Sequence, residues 1–142
     1  MPAAMPMPRA FVSFDFDNDA GTRILFVGQG KEKSPTPFSV ADWSSKTALA
    51  QRTWQQTIEA KIARCNFVVV LVSPTSHKAA GVVKEIAMAK RKDTPVFGVY
   101  VAGAGVRTRL PLGLARNRTI TWTWKGIAQA IKQMMGEGKN VI

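Results

Sequence analysis

The chain has 142 residues, 46% of them hydrophobic and 20% charged, which suits one ordinary globular domain and excludes two, or extensive disorder. Its longest apolar run, Phe67–Val72, is far shorter than the roughly 18–20 residues that span a bilayer. Twenty Lys+Arg against nine Asp+Glu give a net charge of +11, a balance that favours anionic partners and says nothing of fold.

Residues 1–8 carry three prolines and no charge, so they read as a disordered leader rather than a secretory signal. A first strand is expected over Arg9–Phe16, where Phe11, Phe14 and Phe16 mix with Val12 and Ser13. The polar cluster from Asp15 to Asp19 stops it and can cap a short helix over Asp19–Val27. Gly28-Gln29-Gly30 is expected to close that helix, with a loop over Lys31–Pro37 and a weak second strand over Pro37–Ala41. A long helix is expected over Ser44–Arg64, capped by Ser44 or Ser45, with Trp54, Ile58 and Ile62 on one stripe.

The continuous run Phe67–Val72 reads as a central strand buried on both faces. Ser73–His77 leaves it, and a helix follows over Ala79–Arg91, ending in Lys90, Arg91 and Lys92. Those cations suit the negative end of a helix dipole. Strand Val96–Val101, a loop over Ala102–Arg118, strand Thr119–Thr123 and helix Trp124–Met135 complete the chain. The alternation predicts an α/β flavodoxin-like sandwich: five mostly parallel strands in the order 2-1-3-4-5, helices on both faces, one domain over residues 9–142.

In such a sheet, ligands bind beyond the carboxyl ends of the strands. That rule selects Ser13–Asp19, Ser73–His77 and Ala102–Arg118. No P-loop, dinucleotide glycine fingerprint or nucleophile elbow is present. A phosphoryl-accepting receiver would need an Asp where Val72-Ser73-Pro74 stands, and the carboxylates after strand one would repel a flavodoxin-type phosphate. One cysteine and one histidine speak against a transition-metal site, and Cys65 reads as packing. Glu85 stands out as the one acid of its helix, with Gly81, Val82, Met88 and Ala89 as its helical neighbours. Such surroundings disfavour the charged form of a carboxylate unless a partner compensates, and a solvated or Lys-paired glutamate is the plain alternative.

Strand Arg9–Phe16, then Ile62 through Ser73, then Lys84-Glu85-Ile86-Ala87-Met88-Ala89, resembles a TIR-like domain. More narrowly, the pattern is similar to the stand-alone TIR-like proteins of bacterial Thoeris anti-phage defence. Val82 and Val83 stand where many members carry an aromatic residue. The resemblance implies cleavage of the nicotinamide–ribose bond of NAD, with NAD as substrate, no further cofactor and no metal. It implies Glu85 as the catalytic carboxylate, Ser13, Phe14 and Asp15 on one pocket wall, and Ser73, Thr75 and His77 on the other. A cyclic ADP-ribose-type product would signal to a separate effector in the cytoplasm, and a homo-oligomer is left open. Two other readings remain: a non-catalytic TIR-like assembly module, and a charge-driven nucleic-acid binder that uses the basic segment after Ala104 with Trp122 and Trp124. No nucleic-acid motif accompanies that charge, so this reading ranks third.

Overall fold

A computed structural model describes residues 7–36, 38–41 and 51–138, excepting the side chains of Gln51 and Arg52. The strands are β1 (Arg9–Ser13), β2 (Ser39–Val40), β3 (Phe67–Val72), β4 (Val96–Tyr100) and β5 (Thr119–Thr121). The helices are α1 (Ala20–Lys33), α2 (Gln51–Ala63), α3 (Ala80–Arg91) and α4 (Trp124–Glu137). The sheet has five strands in the order β2-β1-β3-β4-β5, every pairing parallel. This is the expected flavodoxin-like architecture.

All six β3 residues are buried, as a continuous β-branched run in a central parallel strand requires. Register and pleat sort the side chains onto two faces. Ser13 pairs with Val70 and Phe11 with Val68 on the face that α3 covers, where the Ser13 hydroxyl meets Glu85 of α3. Phe67 faces the other way and joins an aromatic layer with Phe26, Phe38, Phe97, Trp122 and Trp124. Trp124 Nε1 also donates to Gln29 Oε1 at 3.1 Å. Both tryptophans of the strand-to-helix turn are half-buried and pack against the core.

Several boundaries differ from expectation. β1 ends at Ser13 rather than Phe16, because its last paired residue is Ser13 and Asp15 begins a turn. α1 runs through Gly28-Gln29-Gly30 to Lys33, beyond the expected end at Val27. The reason is packing: a Cβ on Gly30 would lie 2.9 Å from Phe38 Cζ, so this glycine permits close approach rather than ending the helix. β2 is limited to Ser39–Val40. α2 buries Trp54, Ile58 and Ile62 as expected and is described from Gln51, while the Ser44 or Ser45 cap lies outside the described residues. β4 and β5 are each shorter than expected, and α4 extends to Glu137. Two short 3₁₀ turns, Ser76–Lys78 and Arg116–Arg118, lie in segments expected to be loop. Among the described residues no helix is long and apolar enough to cross a membrane.

Candidate functional site

Three segments meet at the carboxyl edge of β1 and β3: the turn after β1, the turn after β3 and the start of α3. Parallel strands deliver both turns to the same edge, and the right-handed crossovers leave it uncovered. A cleft of about 420 Å³ opens there. Phe14, Asp15, Phe16, Asp17 and Asn18 form one wall, and Thr75 with Lys78–Val82 forms the other.

Hydroxyl–carboxylate bonds hold the two turns together. Thr75 Oγ1 donates to Asp15 Oδ2 at 2.8 Å, and Asn18 Nδ2 donates to the same oxygen at 2.7 Å. The backbone N–H of Asp17 donates to Asp15 Oδ1 at 3.2 Å. Burial pushes the Asp15 pKa up, but the donors from Asn18, Thr75 and the Asp17 and Asn18 backbones outweigh it and hold this carboxyl below its ordinary value. Asp15 is therefore an anion at neutral pH. Behind it, Ser73 Oγ donates to Asp19 Oδ2 at 2.5 Å. Asp19 stands at the N-cap of α1 but makes no side-chain cap; its carboxylate turns to Ser73 instead. Ser76 Oγ accepts from the Ser73 N–H and donates to the Ser73 carbonyl, both at 3.1 Å.

Glu85 lies one helical turn beyond Val82 of the cleft wall. The buried stripe on α3 is Val82, Glu85, Ile86, Met88 and Ala89, while Val83 is half-buried. Glu85 is 0% exposed, and Ser13 Oγ donates to its Oε1 at 2.7 Å. A solvated glutamate does not fit that burial.

Of the residues expected to form the pocket, Phe14, Asp15 and Thr75 line the cleft. Ser13, Ser73 and Glu85 lie buried behind it, and His77 is half-buried and not part of its lining. Thr75 stands at the start of the 3₁₀ turn Ser76–Lys78. Its side chain makes no cap, and its hydroxyl is bound to Asp15. The segment after β4 does not join the cleft. Arg116 pins it, donating to Thr108 O at 2.6 Å and to the Tyr100 hydroxyl at 3.0 Å. The selected segment Ser13–Asp19 contains Asn18 and Asp19, although neither is singled out as a site residue, and Lys78 falls one residue past the selected Ser73–His77. The dense Asp15–Asp19 cluster is the local signal for Asn18 and Asp19. Among the described residues no group of three His, Cys, Asp or Glu could hold a metal ion, and Cys65 is buried.

The family model for the TIR-like domain of Thoeris protein ThsB matches residues 11–105, a span that begins in β1 and ends after β4. The chain belongs to this Thoeris TIR-like family. The match takes in both turns of the cleft and all of α3, including Glu85. No curated protein sequence matches the chain. Among solved structures, the SEFIR domain of IL-17 receptor B superposes with a TM-score of 0.62 at 12% identity, covering 95% of this chain and 100% of that one. A prokaryotic SEFIR domain gives a TM-score of 0.52 at 11% identity, with 95% and 96% covered. At these identities the structural likeness speaks for the TIR-like family's fold alone.

Proposed function

We propose that this Thoeris TIR-like chain cleaves the nicotinamide–ribose bond of NAD, with Glu85 as the catalytic carboxylate. The observation that carries the reading is the Ser13–Glu85 pair, a buried carboxylate directly behind a cleft at the ligand-binding edge of the sheet. A carboxylate buried among Val82, Ile86 and Met88 is costly for folding, and such costs concentrate at functional sites. Nicotinamide departs from a cationic ring as a neutral group, so no second carboxyl need protonate it. One carboxylate suffices to orient the ribose hydroxyls and stabilise the oxocarbenium-like centre. Water at that carbon gives ADP-ribose, and an adenine nitrogen of the same molecule gives a cyclic isomer. The ionised Asp15 accepts a further ribose hydroxyl in the cleft, and Phe14 and Phe16 offer flat apolar contact. Because Glu85 is fully covered, turnover requires the first turn of α3 or the Phe14 turn to open. The nucleotide product would act on a separate effector in the cytoplasm, and a homo-oligomer is compatible with this scheme.

The test is incubation of the purified chain with NAD and mass analysis of the products, beside Glu85→Gln. We expect nicotinamide together with ADP-ribose or a cyclic isomer. We expect the variant to lose turnover by a factor on the order of 10²–10³ while staying folded. Wild-type turnover in the folded variant would remove Glu85 from the reaction. A second reading, a non-catalytic TIR-like assembly module, draws on the same burial: a glutamate with a hydroxyl partner and no solvent contact can be purely structural. Absence of nicotinamide release from the wild type at saturating NAD, with self-association intact, favours that reading.

A further inference from the structure

At the opposite, amino edge of the sheet lies a second cleft of about 290 Å³, lined by Arg9, Val40, Ala41, Lys61 and Arg64. Three cations from β1, α2 and the turn after α2 converge on it, and none of the described residues that line it is acidic. They are held there by the backbone. The Arg9 N–H donates to Asn66 Oδ1 at 2.8 Å, and the Asn66 N–H donates back to the Arg9 carbonyl at 2.8 Å. The Arg64 N–H donates to the Lys61 carbonyl at 3.1 Å, closing the end of α2. Glu59 of α2 is already taken by Arg91 at 2.7 Å. Among the described residues neither the Arg9 nor the Arg64 guanidinium has an ion pair. The carboxyl end of the α2 dipole offsets part of the charge, but it amounts to only about half an elementary charge against the two guanidiniums.

We infer that this cleft binds a small phosphate-bearing metabolite through its phosphate group. Two guanidinium forks match phosphate oxygens in paired, charge-assisted hydrogen bonds. Val40 and Ala41 give the cleft an apolar side against which a sugar or base can lie. The site is independent of Glu85 and of NAD cleavage, since it occupies the other end of β1.

Isothermal titration of the full chain with pyrophosphate, inorganic phosphate and AMP tests this. Saturable one-to-one pyrophosphate binding is expected, weakened by about tenfold in Arg64→Gln and in Arg9→Gln, the loss of one charge-assisted pair. Both side chains are exposed and their backbone bonds remain, and melting curves verify the folds. The double variant Arg107→Gln/Arg109→Gln removes two charges from the exposed loop after β4 and should leave affinity within twofold. AMP binding more tightly than phosphate identifies a nucleoside phosphate as the natural source; equal affinity identifies the free anion. Equal weakening by the control variant, or no saturable binding of any of the three probes, overturns the inference.

Discussion

The aromatic layer and the carboxyl edge of the sheet are built on opposite principles. Toward α1 and α4, aromatic rings fill the interior: Phe26 lies 5.2 Å from Trp124 and 5.7 Å from Trp122, and Phe38 packs edge-on against Phe67. At the carboxyl ends of the strands, by the starts of α1 and α3, the interior holds Ser13, Ser73, Ser76, Asp19 and Glu85 instead. The first arrangement stabilises by removing apolar area from water. The second keeps polar groups buried, where each must be satisfied and contributes little net stability. The difference teaches where this domain spends its stability. The aromatic layer holds the fold, and the polar edge exists for something else.

Phe26→Ala should break the comparison hardest on the stability side. It empties the centre of the aromatic layer and should cost about 3–5 kcal/mol by denaturant unfolding. A loss below about 1 kcal/mol would mean the layer is not the main support. Ser13→Ala comes next: it strips Glu85 of a hydroxyl donor and should cost about 1–3 kcal/mol. Ser13→Ala/Glu85→Leu removes both polar groups and should return close to wild-type stability while losing any NAD turnover. Failure of the double variant to recover would show that the pair itself supports the fold.

Thr75→Val should cost about 1 kcal/mol, since it removes one of several donors to Asp15 at an exposed position. Its sharper readout is pH. Asp15 is held below its ordinary value of 3.8, so its contribution is complete above that pH and is lost as pH falls through the lower folded value. The variant should raise the Asp15 pKa toward 3.8 and shrink the acid-dependent part of stability, measured by carboxyl carbon NMR and by melting at low pH. An unmoved Asp15 titration would show that the Thr75 bond is absent in solution. The smallest effect is expected at Ala102, just past β4, which has φ of 54°. Ala102→Gly relieves this left-handed conformation and should stabilise by roughly 0.5–1 kcal/mol. A destabilised variant would argue against strain at this edge.

The long elements were legible because their signals are local. β3 is an unbroken apolar run, and α2 repeats Trp54, Ile58 and Ile62 at helical spacing. The end of α1 was not legible, since Gly28 and Gly30 carry the usual mark of a helix stop. Only the ring of Phe38 lying over Gly30 explains why the helix continues. At the candidate site, the rule for parallel sheets located two of the three contributing segments, and the resemblance pointed to Glu85. The pairing of Thr75 with Asp15 and of Ser73 with Asp19 was invisible, because those residues are 60 and 54 positions apart.

By itself, then, the sequence determined strand–helix alternation, the parallel sheet and its order, the buried central strand and the one acid of α3, all carried by periodicity within a few residues. Tertiary structure alone decided that this acid is sealed against Ser13 rather than exposed, that Asp19 leaves its helix cap for Ser73, and that Arg9 meets Arg64 across a cleft. Each of those facts depends on which side chains two crossover connections bring to the same edge of the sheet, and no local pattern encodes that meeting.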